Sequence, residues 1–244
     1  MYRKDKYARD RVMKSARLLL PYLSQDDKNP STILDVGCFT QEARKYFPRS
    51  VKYIGIDEKA YHRDTKVVNL HHGFEKVECS MALCLETLEH LQDPEDTLQS
   101  IHESLPDSGM LVVSLPNEST IFHRIRCLLG IVDNQCFQSE GKHLHLPSLN
   151  QSRRFLSTLF SIQDTRYYIS PSAVGSGQEW VGKILSLVPD RVHQFLADHF
   201  PSLFARGFIF LLRKKSQASQ PQAQVHNGTD TAHTQAPLSS AASK

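Results

Sequence analysis

No run of apolar residues in this sequence approaches the roughly 20 that a helix needs to cross a bilayer. The opening segment, MYRKDKYARDRVMKSARLLLPYL, contains neither a secretory apolar core nor a small-residue cleavage site, so a cytoplasmic location is expected. Cysteine is sparse. Cys38, Cys79, Cys84, Cys127 and Cys136 are odd in number and include no C-x-x-C pair, which argues against a disulfide framework or a thiolate zinc site and predicts buried small hydrophobes. Charge is nearly balanced, with 29 Lys and Arg against 26 Asp and Glu, so no strong field makes nucleic acid the default partner, although Met1–Arg17 is locally basic. From Ser216 onward the only large aliphatics are Val225 and Leu238 and no aromatic occurs, which predicts a disordered tail over residues 214–244.

What remains alternates apolar runs of strand length with amphipathic stretches of helix length, the pattern of an α/β fold with a mostly parallel, doubly wound sheet. Ser31–Val36, Lys52–Ile56, Lys66–Leu70, Ser80–Leu85 and Met110–Leu115 read as strands one to five. Tyr7–Leu23, Gln41–Phe47 and Asp93–Ser104 read as helices, the last opening with Asp93 as N-cap and Pro94 at the first helical position. Further on, Leu149–Leu159 reads as helix, Ser161–Ile169 as strand, Glu179–Phe200 as one or two helices broken near Pro189, and Gly207–Arg213 as a closing strand.

Asp35-Val36-Gly37 falls where the first parallel strand ends, and Asp57 ends the second strand 20 residues after Gly37, the spacing of a nucleoside site at a strand–helix crossover. A carboxylate there can accept protons from both ribose hydroxyls. A dinucleotide would require G-x-G-x-x-G so that backbone amides can approach a pyrophosphate. Gly37-Cys38-Phe39-Thr40-Gln41-Glu42 has only the first glycine. S-adenosylmethionine has no phosphate, and its positive sulfonium suits acidic surroundings, so it fits this loop better than NAD or FAD.

Four blocks, Ile33–Cys38, Tyr53–Asp57, Leu83–Leu91 (LCLETLEHL) and Gly109–Asn117 (GMLVVSLPN), resemble in order and spacing the class I S-adenosylmethionine-dependent methyltransferases. The resemblance continues more loosely through His143–Phe160 and fades beyond Ile169. It implies a Rossmann-like sheet of seven strands with an antiparallel seventh strand beside the fifth. Residues 1–213 would form one domain, with an N-terminal helical segment over 1–30 and a helical insertion over about 171–205. By position, Asp35, Gly37 and Cys38 would line the methionine moiety, Asp57 the ribose, Asn69 and Leu70 the adenine, and Leu85 and Glu86 the sulfonium. Phe39 and Gln41 stand where this family has small residues or glycine. A Cβ at a position of positive φ costs about 1 kcal/mol. Phe39 is expected to turn toward the acceptor side or the neighbouring helix.

Glu86, Glu89 and His90, with His143 downstream, are similar to E-x-x-E-H groups that bind a divalent cation in certain members of this family. The resemblance therefore allows Mg²⁺ or another divalent ion that would lower the pKa of an acceptor hydroxyl. Without metal, His90 or His143, aided by Glu89, is the candidate general base. Apolar residues between Trp180 and Phe210 would either line a pocket for a lipid-like acceptor or pack as an amphipathic helix pair. The expected activity is methyl transfer, at oxygen, to a small-molecule, lipid or glycan acceptor. An RNA 2′-O-methyltransferase, suggested by E-x-x-E-H and the Pro116-Asn117-Glu118 turn, and a non-catalytic cofactor-binding module, suggested by Phe39 and Gln41, are the competing expectations.

Deleting residues 216–244 should leave the melting temperature unchanged, because that composition adds no buried apolar area. A loss of several degrees in a thermal melt would show instead that the tail docks on the domain.

Overall fold

A computed structural model describes residues 6–26, 28–117, 119–130, 143–169 and 188–216. The expected tail beyond 216, residues 170–187 of the expected insertion, and Cys136 lie outside the described residues. The strands are β1 (Thr32–Val36), β2 (Lys52–Asp57), β3 (Thr65–Val67), β4 (Met81–Leu85), β5 (Met110–Pro116), β6 (Phe160–Tyr168) and β7 (Gly207–Lys214). They form one sheet in the order β3-β2-β1-β4-β5-β7-β6. Pairing is parallel from β3 through β5 and antiparallel between β5 and β7 and between β7 and β6. This is the seven-stranded mixed sheet expected from the sequence.

Alternation along the strands divides the core into two layers. Leu34, Val36, Ala82, Cys84, Leu111 and Val113 face one side, where they meet Leu98, Ile101 and Leu105 at and just beyond α2 (Pro94–Ser104). Ile33, Met81, Leu83, Met110 and Val112 face the other, against Ala16 and Leu19 of α1 (Lys6–Leu19). Among the described residues the remaining α-helices are α3 (Ile121–Leu128), α4 (Leu149–Leu156), α5 (Asp190–His199) and α6 (Pro201–Phe204). Among the described residues no helix is long and apolar enough to cross a membrane. Cys38, Cys79 and Cys84 are buried as expected, whereas Cys127 on α3 is exposed.

Several element boundaries differ from the sequence reading for local reasons. The first helix stops at Leu19 rather than Leu23, because Pro21 has no N–H to continue it and Leu20–Tyr22 tightens into a 3-10 turn. The expected helix over Gln41–Phe47 is a short 3-10 turn, Glu42–Tyr46, that begins after Gln41 in the left-handed region. The third strand ends at Val67, since the side chain of Asn69 accepts the N–H of His71 and turns the chain. Pro94 does open α2, but Asp93 makes no side-chain capping bond; its carboxylate instead lies 2.6 Å from His72 Nδ1. Helix α3 had no counterpart in the sequence reading; its N-cap residue Thr120 makes no side-chain bond.

The fourth residue of the TILDV run in the sheet's centre puts a carboxyl among apolar neighbours. Asp35 on β1 is 4% exposed and accepts a hydrogen bond from the hydroxyl of Tyr53 on β2. Burial pushes its pKa from the ordinary 3.8 up to about 7, although the Tyr53 bond lowers it in part. Between those values the folded chain holds a proton that the unfolded chain has released. This contribution therefore favours folding most below pH 3.8 and is lost as pH rises through about 7. Relative to an Asp35→Asn variant, the wild type should lose melting temperature as pH is raised from about 5 to about 8. A difference between the two proteins that stays constant over that range would contradict the burial of an ionisable Asp35.

Candidate cofactor and catalytic site

The carboxyl ends of β1, β2 and β4 converge on one edge of the sheet, and the residues expected from the sequence to hold a cofactor gather there. The chain leaves β1 through Gly37, whose φ is +71° and whose absent side chain is filled by Thr87: a Cβ would lie 2.1 Å from Thr87 Oγ1. Only glycine meets both demands. The N–H groups of Gly37 and Cys38 both donate to the carbonyl of Ile56, at 2.9 and 3.1 Å. Phe39 and Gln41 also adopt positive φ, 43° and 54°, so the strain expected of non-glycine residues in this loop is present.

Each strained residue has a compensating contact. The N–H of Phe39 donates to Asp57 Oδ2 at 2.8 Å, a charge-assisted bond worth about 1.5–3 kcal/mol. Its ring meets Tyr61, at 4.4 Å between centroids and 45% residue exposure. That partner lies beyond β2 rather than on the helical turn that follows the loop. Gln41 is 5% exposed; its amide donates to Thr65 Oγ1 at 3.3 Å and lies in the space that a side chain at Gly55 would fill. Cys38 packs beside it, and burial, followed by the nearby Asp35 charge, raises its thiol to about 12. It therefore stays protonated and unreactive at neutral pH. Asp57 also accepts the N–H of Lys59 at 3.3 Å, so its carboxylate is fixed at the strand end by two backbone donors. Asn69 is exposed and Leu70 buried in the segment after β3.

At the end of β4, Glu86 turns the chain with φ of 52°, and its N–H donates to the carbonyl of Ser114. Its carboxylate lies 3.2 Å from Arg11 Nη1 of α1 and accepts hydroxyl bonds from Ser114 at 3.2 Å and Tyr168 at 3.1 Å. Tyr168 reaches it because Gly207, its partner across β6 and β7, leaves room for the ring. Burial, then the Glu86 charge, raises the Tyr168 hydroxyl well above its usual range, so it acts as a donor.

The 3-10 turn Leu88–His90 carries the second cluster. Glu89 is buried, and the N–H groups of Leu144 and His145 donate to its backbone carbonyl at 2.7 and 3.0 Å. His145 Nε2 lies 2.9 Å from the carbonyl of Leu91. These bonds bring His143 onto His90, with ring centroids 4.8 Å apart, while His90 Nε2 lies 3.9 Å from Glu89 Oε1. One ligand atom from each of Glu89, His90 and His143 falls within 4.8 Å of the others. Glu86, expected as one of four metal ligands, is not part of this group among the described residues; its carboxylate is turned to Arg11, Ser114 and Tyr168. Asn117, expected to mark an RNA-type turn, is 1% exposed and holds the chain before β7: its side-chain amide donates to the carbonyls of Pro201, Ser202 and Ala205.

A family profile described as a methyltransferase domain matches residues 6–159. No curated protein sequence matches the chain. Among solved structures, an S-adenosylmethionine-dependent methyltransferase from Archaeoglobus fulgidus is similar, with a TM-score of 0.52 at 16% identity over 86% of this chain and 96% of its own. The N-methyltransferase NodS from Bradyrhizobium japonicum, in complex with S-adenosyl-L-homocysteine, gives 0.52 at 11% identity over 88% and 90%. The [4+2]-cyclase SpnF gives 0.51 at 16% identity over 83% and 80%. At these identities the likeness is one of fold, and the cyclase shows that the chemistry has to be argued from the site. With the profile spanning more than half of the sequence and the strand order in place, the chain belongs to the class I S-adenosylmethionine-dependent methyltransferase family.

Proposed function

We propose that this chain transfers a methyl group from S-adenosylmethionine to a hydroxyl oxygen of a small-molecule, lipid or glycan acceptor. The observation that carries the choice of oxygen is the convergence of His90 and His143 beside buried Glu89, a few residues beyond the strand end where the sulfonium would lie. An amine acceptor needs only alignment, whereas a hydroxyl must give up a proton as it attacks. In this reading Asp57 receives the ribose hydroxyls, Asn69 and Leu70 border the adenine, and Gly37 and Cys38 run along the methionine with Asp35 beneath them. Leu85 and Glu86 sit by the sulfonium, where negative charge stabilises the positive sulfur. The cofactor would supply its methyl group to the acceptor oxygen and leave as S-adenosylhomocysteine, and one of the two histidines would take the hydroxyl proton.

A second reading follows from the spacing of Glu89, His90 and His143, which would suit a divalent cation. With one carboxylate and two imidazoles the donor set fits zinc or another transition metal better than Mg²⁺. Such an ion would supply Lewis-acid polarisation of the acceptor hydroxyl. We take proton transfer to one of the histidines as the proposal.

S-adenosylmethionine and S-adenosylhomocysteine should both bind in a calorimetric titration, and Asp57→Ala should weaken each about 10- to 100-fold through loss of charge-assisted hydrogen bonds. Equal binding by wild type and variant would remove Asp57 from the site. With a methyl-labelled cofactor and hydroxyl acceptors, EDTA should leave turnover intact and His90→Ala or His143→Ala should lower it about 10²- to 10⁴-fold at unchanged cofactor affinity. Loss of turnover on chelation, restored by added zinc, would favour the metal-bound reading instead.

A further inference from the structure

The Asp57 carboxylate ties down both arms of an aromatic pair at the edge of the candidate cofactor site. Its Oδ2 accepts the N–H of Phe39 at 2.8 Å and its Oδ1 the N–H of Lys59 at 3.3 Å, while the Lys59 carbonyl accepts the N–H of Tyr61 at 2.9 Å. The circuit closes through the side chains, where the Phe39 and Tyr61 rings meet at 4.4 Å between centroids, tilted by 53°. The far end of the Tyr61 loop is tied as well. The His62 carbonyl accepts the N–H of Thr65 at 3.0 Å, and Asp64 Oδ2 lies 3.1 Å from Arg44 Nη1. Tyr61 therefore stands on a turn braced at both ends, and its ring is a surface against which another side chain can be held.

The pair contributes little to the core. Phe39 is 45% exposed and Tyr61 48%, so neither ring is withdrawn far from water. The Phe39 backbone is held at a φ of 43°, in the left-handed region that glycine adopts far more readily than a residue with a Cβ. A large side chain that is neither buried nor at ease in its backbone gains little for the fold, so the contact matters for where it puts the ring. Phe39 lies two residues beyond Gly37, in the loop along which the cofactor's methionine portion is proposed to run. Rotation about its Cα–Cβ bond among the staggered positions carries the ring from one side of the backbone to another. The position taken against Tyr61 leaves it beyond β2. We propose that Tyr61 is a positioning residue that holds the Phe39 ring out of the path of the methionine portion, so that the site accepts its cofactor with a phenyl group in this loop. The assignment rests on the cofactor reading above and adds to it the residue that keeps the site accessible. A ring pair of this kind biases an equilibrium about two- to tenfold, and affinity falls with the fraction of molecules in which a site is open.

The test compares S-adenosylhomocysteine with 5′-methylthioadenosine, a nucleoside thioether that lacks the amino acid end, by calorimetry on the full chain. Tyr61→Ala should weaken S-adenosylhomocysteine about three- to tenfold and leave methylthioadenosine binding unchanged, which also shows that the variant is folded. Tyr61→Phe keeps the ring and loses only the hydroxyl, and should bind both ligands as wild type does. In a Phe39→Gly background no ring remains to be held, so adding Tyr61→Ala should then change the affinity for neither ligand. Equal loss of both ligands in Tyr61→Ala would mean that Tyr61 only supports its loop, and no loss would mean that the Phe39 ring does not enter the path. The same loss in the Phe39→Gly background would mean that Tyr61 acts without Phe39. Each of these three results overturns the proposal. Binding of neither ligand to wild type would overturn the cofactor reading itself, a result distinct from failure at Tyr61.

Discussion

Three residues of the Gly37–Gln41 turn stand at positive φ, and the candidate site depends on that turn keeping its shape. For Phe39 and Gln41 the conformation costs about 1–2 kcal/mol each relative to glycine. The turn is held because β2 supplies acceptors at fixed positions: the Ile56 carbonyl takes two N–H groups and the Asp57 carboxylate takes a third. Asp57 is thus both a support of the loop and the candidate ribose ligand, and the sheet register that pairs Val36 with Ile56 sets both roles at once. Thr87 completes the arrangement from β4's side by filling the space over Gly37 and donating to the Val36 carbonyl at 3.3 Å.

The part of the candidate site around Glu86 and Glu89 is organised by charge in a confined space. Glu86 and Glu89 lie three residues apart, yet their environments differ. Glu86 is met by a cation and two hydroxyls from α1, β5 and β6, whereas Glu89 is buried beside two imidazoles and anchors a distant segment through its backbone carbonyl. The left-handed turn at Glu86 is what separates them: it sends one carboxylate toward α1 and β6 and the next toward His143. The difference in surroundings suits one group to a cationic ligand and the other to proton transfer or metal binding.

Much of this was legible in the sequence because it rests on local patterns. Apolar runs of strand length, Asp35-Val36-Gly37, and Asp57 at its spacing marked the candidate cofactor edge of the sheet, and E-T-L-E-H marked the cluster of Glu89 and His90. The left-handed positions at Phe39 and Gln41 followed from where the family has small residues. Long-range contacts were not legible. A basic residue on an amphipathic helix gives no sign that it will meet a carboxylate 75 positions away, so Arg11 went unnoticed and Glu86 was grouped with its neighbours in sequence. The structural role of Asn117 was likewise not legible, since its clamp on residues 201–205 exists only once β7 is inserted beside β5. Phe39 found Tyr61 through a side-chain contact in a loop that periodicity does not describe.

The central proposal is that the strand ends hold the cofactor although the loop after β1 is poor in glycine and strained at two positions. A crystal structure with S-adenosylhomocysteine bound tests it most directly. The account predicts both ribose hydroxyls on Asp57, with the Phe39 ring still against Tyr61 and the ligand's methionine portion running past Gly37. A Phe39 ring lying in the methionine position, or the ligand bound away from the ends of β1, β2 and β4, would contradict it.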